Sequence, residues 1–326
     1  MDLFLIGAGF NIDAGSHTLS NGQECRYPLI NDVARICFNM EVSQIPCGKS
    51  IEDLFGEAQA NGESKPMKRL TEMLMDADHY LAGALAGSTQ TNCYSEFFGR
   101  FAGAHFLTFN YDSLIEIMLF HKKHWFPDDG YGVPVQTELQ LDDSLPYDRM
   151  SKSTILHLHG SLCLCFSEFE TQRDPSDGVV WLDPSAPTRF MFDPDCLTND
   201  FSPYARFRPG LQYLPTDSRV IGPVPNKGPL LIQGFTRAIY EAAHGLISQS
   251  KTLVSIGYSF NHHDKASYDP ILHVLAESHN GRLILVSPDA TETAQRIMAE
   301  FPDLHVVTIS KTFKEWATTC FRHSDE

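Results

Sequence analysis

Leu3-Phe4-Leu5-Ile6-Gly7-Ala8-Gly9-Phe10-Asn11-Ile12-Asp13-Ala14-Gly15 is the stretch on which the fold turns. Its first four residues are apolar and bounded by glycine, which predicts a short buried strand. Two glycines one residue apart then let the backbone come close to a pyrophosphate, and the helix start that follows offers free N–H donors. A tight strand-to-helix turn explains the same glycines. The third glycine of the dinucleotide fingerprint falls at Ile12, and no ribose-binding acid follows within the expected unit. An ordinary nicotinamide-dependent dehydrogenase is therefore disfavoured.

Five further runs have the same character: His105–Phe109, Thr154–Leu158, Thr252–Ile256, Arg282–Val286 and His305–Ile309. Helical patterns lie between them, over Ser113–Phe120, Phe235–Ile247, Pro270–Ala276 and Glu292–Phe301. Strand and helix in alternation predict an α/β fold, a doubly wound parallel Rossmann-like sheet of about six strands with helices on both faces. The 326 residues are expected to form a single domain, 1–326, with two insertions. The first, about 50–100, is helical: Ser50–Glu57 and Pro66–Ala86 read as helices, and Leu70, Met73, Leu74 and Ala77 make a stripe best explained by core packing. The second, about 161–230, holds ten of the 19 prolines among aromatics such as Trp181 and Phe207. Its composition predicts an irregular packed lobe or a partner surface.

Charge narrows the partners. There are 25 Lys+Arg against 41 Asp+Glu, a formal net charge of −16. Direct nucleic-acid binding needs a basic stripe and is not expected, nor is attraction to anionic membranes. No apolar run is long enough to span a bilayer, and Met1-Asp2 lacks the basic start of a signal peptide. The eight cysteines (25, 37, 47, 93, 163, 165, 196 and 320) never fall as C-x-x-C. Reduced thiols in a cytoplasmic protein fit that scatter better than disulfides or a zinc cage, so no metal is expected.

In a parallel sheet ligands gather at the carboxyl ends of the strands. After the second strand stands Phe109-Asn110-Tyr111-Asp112, where the amide and the carboxylate either face a ligand or serve as turn and helix cap. After the third stands His157-Leu158-His159-Gly160; alternation puts both imidazoles on one face, and Gly160 clears room beside His159. Gly257-Tyr258-Ser259 follows the fourth, suited to phosphate or ribose. Ser287-Pro288-Asp289 follows the fifth, where Asp289 either accepts from a ribose hydroxyl or caps the next helix.

A Gly-Ala-Gly turn, an Asn-x-Asp, a His-Gly and a Gly-x-Ser, in that order and each at a strand end, resemble the sirtuin family, specifically the bacterial sirtuin-like branch found in antiviral defence proteins. The resemblance implies that NAD is bound and its nicotinamide–ribose bond broken. It implies that Gly7, Ala8 and Gly9 cradle the phosphates with Asn11 and Asp13 nearby. Asn110 would hold the ribose and a water, Asp112 the nicotinamide amide, and His159 would be the catalytic histidine. Gly257, Ser259 and Asp289 would contact phosphate and ribose. Deacylases of the family carry a zinc module on two C-x-x-C pairs, which this sequence lacks. What remains is NAD cleavage by water: an NAD glycohydrolase, with NAD as substrate and without zinc. An NAD-dependent deacylase or ADP-ribosyltransferase, and a catalytically idle NAD or ADP-ribose sensor, are the alternatives. The branch couples activity to infection, so a homo-oligomer, a separate sensor or ATPase subunit, or both are expected.

Overall fold

All six expected strands are present: β1 Leu3–Ile6, β2 His105–Thr108, β3 Thr154–His157, β4 Thr252–Ile256, β5 Arg282–Val286 and β6 His305–Ile309. They form one sheet in the order β6-β5-β4-β1-β2-β3, with every neighbouring pair parallel. β1 therefore pairs with β2 on one side and β4 on the other, in register from Leu3 opposite His105 and Leu253 to Ile6 opposite Thr108 and Ile256. The strand order reverses at this pair of neighbours, and the crevice outside β1 and β4 is where a doubly wound sheet takes a ligand. All four residues of β1 are buried, as a strand covered on both faces requires.

The computed structural model describes residues 1–18, 22, 24–82, 85, 92–127, 129–133, 135–136, 139–141, 150–162, 164–167, 170–173, 180–183, 189–192, 205–207, 223–225, 227 and 234–322. Its main helices are α1 Ala8–Asn11, α2 Ile30–Phe38, α3 Ile51–Ala60, α4 Lys65–Ala77 and α5 Cys93–Arg100, then α6 Leu114–His121, α7 Gly234–Gln249, α8 Lys265–Glu277, α9 Ala290–Glu300 and α10 Phe313–Arg322. Among the described residues no helix is long and apolar enough to cross a membrane.

The first insertion supplies α2 to α5. Ser50 starts α3 by accepting from the Asp53 N–H at 3.2 Å, while the Asp53 carboxylate accepts from the Ser50 N–H at 2.8 Å. Leu70, Leu74 and Ala77 of the expected stripe are buried, and Met73 packs against the core half-buried. α4 stops sooner than its pattern predicts. At Asp78 it widens into a π-turn, Asp78–Ala82, and the Asp78 carboxylate turns inward. α8 departs in the opposite sense: it starts at Lys265, so Pro270 sits inside it rather than in its first turn.

α5 packs an aromatic face against β1 and β2. Phe97 meets Phe4, Phe106 and Phe313 with ring centroids 5.1, 6.2 and 5.4 Å apart, all edge-to-face. The Tyr94 hydroxyl donates to the Phe10 carbonyl at 2.6 Å, which ties the turn after β1 to this aromatic core. In and just before the second insertion several described segments are short strands. Glu170–Arg173 pairs antiparallel with Val180–Asp183, Arg189–Phe192 pairs with Leu164–Ser167 and Val135–Gln136, and Ala205–Phe207 pairs with Leu139–Leu141. Trp181 and Phe207 lie on these strands.

Candidate functional site

The turn after β1 and the turn after β4 are pressed backbone to backbone. The Gly7 N–H donates to the Ile256 carbonyl at 3.0 Å and the Gly9 N–H to the Gly257 carbonyl at 2.8 Å. A Cβ on Gly7 would lie 2.5 Å from the Tyr258 Cα, and one on Gly257, where φ is +64°, only 2.3 Å from the Phe10 nitrogen. These glycines are required by close approach. The Gly7 and Gly9 N–H groups serve β4 and the turn after it, and the Gly257 N–H serves the Val286 carbonyl of β5, so what these glycines give a ligand is room, and exposed Ala8 is the residue of the motif that faces the crevice.

A cleft of about 420 Å³ opens there. Ala8, Asn11, Asn110, Asp112 and Ser259 line one side, drawn from the ends of β1, β2 and β4. Ile51, Phe55, Leu70 and Leu74 of α3 and α4 add an apolar lining. The helical insertion thus completes the cleft, and part of the stripe expected only to pack the core also faces it.

The polar side is a connected network. Asn11 donates through Nδ2 to Asp112 Oδ2 at 2.6 Å and accepts on Oδ1 from Asn110 Nδ2 at 3.3 Å. Asp112 Oδ1 also accepts the Leu114 N–H at 3.2 Å, so this carboxylate both caps α6 and lines the cleft. Behind it Asp78 accepts from the Tyr27 hydroxyl at 2.7 Å and from the Ser113 N–H and hydroxyl at 2.8 and 2.7 Å. Burial pushes the Asp112 carboxyl above the usual carboxylate range, and the Glu116 charge adds to this against the Leu114 N–H and the His157 charge. Burial raises Asp78 as well, and the Asp112 charge adds to it.

His159 stands one ring back from the cleft. Its imidazole is 2% exposed, its Nε2 lies 2.8 Å from the Ser267 hydroxyl of α8, and its ring centroid is 4.7 Å from that of Phe109, which does line the cleft. Phe109 in turn stacks on Tyr258 at 4.5 Å. Burial above all, then the charge of Lys227, holds His159 well below the ordinary histidine range, so the ring is neutral. Lys227 is itself buried and ion-paired with Asp264, whose other oxygen accepts from the Tyr258 hydroxyl at 3.3 Å.

His157 and His159 do not share a face. β3 ends at His157, the chain turns through Leu158 and His159, and Gly160 has φ +84°, so strand alternation stops before His159. His157 meets Glu116 on α6, and His159 meets Ser267 on α8. Asp13 and Asp289 are also apart from the cleft lining. Asp13 Oδ2 accepts the Lys314 N–H at 2.7 Å and so caps α10. Asp289 is exposed at the end of β5, where its side chain makes no capping bond to α9. Ser259 lies in a loop held by Arg296, which donates to the Ser259 and Phe260 carbonyls at 2.9 and 3.2 Å.

Four polar participants were not legible as site residues: Tyr27, Asp78, Glu116 and His157. Two of them carry a sequence signal: His157 at the end of its strand, and Glu116 as a carboxylate inside the apolar run Leu114–Phe120. Among the described residues no group of three or more His, Cys, Asp or Glu is arranged to hold a metal. The side chains of Cys163, Cys165 and Cys196 lie outside the described residues.

No protein-family model matches the chain, and no curated protein does. Solved structures to which it is similar include a Sir2 homologue–NAD complex, at 16% identity over 98% of this chain and 88% of that one with a TM-score of 0.43. Another is a mutant Sir2 homologue–ADP-ribose complex, at 14% identity over 98% and 90% with a TM-score of 0.45. A third is a Sir2–p53 peptide–NAD+ complex, at 12% identity over 100% and 93% with a TM-score of 0.42.

Proposed function

We propose that this chain is an NAD glycohydrolase that cleaves NAD to nicotinamide and ADP-ribose, acting in the cytoplasm as the NAD-depleting effector of antiphage defence. The observation that most supports the reading is the convergence of Ala8, Asn11, Asn110, Asp112 and Ser259 on one cleft where the strand order reverses. Glu52 and Asp112 are the charged residues lining it, with no Lys or Arg among the described lining residues. An acidic recess suits the cationic nicotinamide ring. Departure of neutral nicotinamide leaves an oxocarbenium-like ribose, which polar groups without strong nucleophilic character, such as Asn11 and Asn110, are suited to surround.

Asn110 holds the incoming water. His159, kept neutral by its surroundings, is the proton acceptor once the Phe109 ring between it and the cleft gives way. Gly257, Ser259 and exposed Asp289 serve the phosphates and the adenosine ribose. Zinc has no part in this scheme, and stoichiometric zinc with unfolding on chelation would contradict it. Activity is held in check by a homo-oligomer, a separate sensor or ATPase subunit, or both.

Product analysis tests the reading. The purified assembly is given NAD with and without an acyl-lysine peptide, and products are identified by mass spectrometry. Equal yields of nicotinamide and ADP-ribose, unaffected by peptide, are expected. Deacylation that depends on the peptide, or NAD bound without turnover in every assembly state, would replace hydrolysis by acyl transfer or by sensing.

A further inference from the structure

α6 is buried along nearly its whole length, and within it Glu116 is 0% exposed. Its Oε1 lies 2.6 Å from His157 Nε2 and also accepts from the Tyr131 hydroxyl at 3.3 Å. Its Oε2 has no partner among the described residues. A buried carboxylate with one oxygen unsatisfied is a costly choice, since a pair of apolar residues of similar size is often as stable or more so. The other nitrogen of the same imidazole gives the choice a purpose. His157 Nδ1 is 2.9 Å from the main-chain carbonyl of Asn110. A carbonyl only accepts, so Nδ1 carries a hydrogen, and one further proton is shared between Nε2 and Glu116. Burial alone pushes His157 down, but the Glu116 charge and hydrogen bond, the Asn110 carbonyl and the Asp112 charge together raise it.

We propose that Glu116 and His157 are positioning residues for Asn110, fixing its main-chain carbonyl so that its side-chain amide is presented in the cleft. On its other side the loop is anchored by the Asn110 N–H, which donates to Thr108 Oγ1 at 3.0 Å. Asn110 is thus gripped at both peptide groups while its side chain, half-buried, reaches the cleft wall. The kinetic half of the proposal rests on the NAD-cleavage reading; the geometric half does not.

The decisive variant is the double substitution Glu116→Leu with His157→Leu, assayed in the active assembly. It is expected to melt at or above the wild-type temperature and to bind NAD within about threefold of wild type. Its kcat is expected to fall by ~10²-fold, the scale of a small misplacement of a reacting group. His157→Gln with Glu116→Gln restores an N–H donor and is expected to recover about tenfold of that loss. Near wild-type kcat in the double leucine variant, or a loss that merely tracks lost folded protein, would overturn the proposal. If the leucine pair does not fold, the glutamine pair decides on the ring ¹⁵N spectrum of wild-type His157 and the side-chain amide signal of Asn110. A protonated Nδ1 in the wild type together with one sharp Asn110 side-chain amide signal, that signal being kept in the glutamine pair, supports the grip; an Nδ1 without a hydrogen, or several amide signals in the wild type, contradicts it. A wild type that binds NAD without releasing nicotinamide defeats the hydrolase reading alone, and these spectra still judge the pair.

Discussion

Asp78 and Asp112 are the residues through which pH acts on this fold most directly. Both carboxyls are raised by burial, and the Asp112 charge raises Asp78 further. A raised carboxyl keeps its proton in the folded state at a pH where the unfolded chain has released it. The native state then binds more protons, and stability falls as pH rises from the ordinary carboxylate range toward neutrality. Comparing wild type with Asp78→Asn by urea denaturation isolates the effect, because the amide cannot ionise. From about pH 5 to about pH 8 the stability difference is expected to move steadily in favour of the amide. A difference that stays constant over that range would show that Asp78 is ionised throughout. Residues of this kind separate the legible from the hidden. Asn11, Asn110 and Asp112 follow strand ends and were marked by position, whereas Asp78 sits in Met75-Asp76-Ala77-Asp78-His79, where no local pattern singles out one acid. Its role depends on Tyr27 and Ser113, 51 and 35 residues away in the chain.

Strands were far more legible than helices because each strand is an apolar run closed by turn residues. Four of the six have the expected bounds, and β2 and β3 end one residue early, where Phe109 and Leu158 enter the site loops. No pattern in the sequence announces α2, α5 or α10. α5 is only eight residues, and its sequence Cys93-Tyr94-Ser95-Glu96-Phe97-Phe98-Gly99-Arg100 suits a strand or a turn as well as a helix. The aromatic core over β1 settles the matter, since Tyr94, Phe97 and Phe98 are all fully buried. Phe97→Ala is expected to cost about 3–5 kcal/mol in urea unfolding, as for other large buried rings. A loss below about 1 kcal/mol would mean that α5 does not carry this face of the sheet. Pro270 stands inside α8 although proline is favoured in a first turn, because burial of Tyr268, Ile271 and Leu272 holds the helix through it.

For the molecule as a whole, the cleft is assembled from segments far apart in sequence. The turn after β1, the loop after β2 and the loop after β4 supply its polar side, and α3 and α4 of the insertion close it. The sheet order brings the first three together, which is why motifs read one by one as ambiguous converge once the strands are arranged. The insertion's part could not be read in advance, because a helical stripe looks the same whether it faces a core or a cleft. The central claim is that Asn110 and His159 carry out cleavage at this cleft. It is tested most directly by nicotinamide release from NAD, measured on the activated assembly for wild type, Asn110→Ala and His159→Ala, each shown to be folded. Each variant is predicted to lose on the order of 10²–10⁴-fold in turnover while NAD affinity changes far less. Folded variants that release nicotinamide near the wild-type rate would contradict the account.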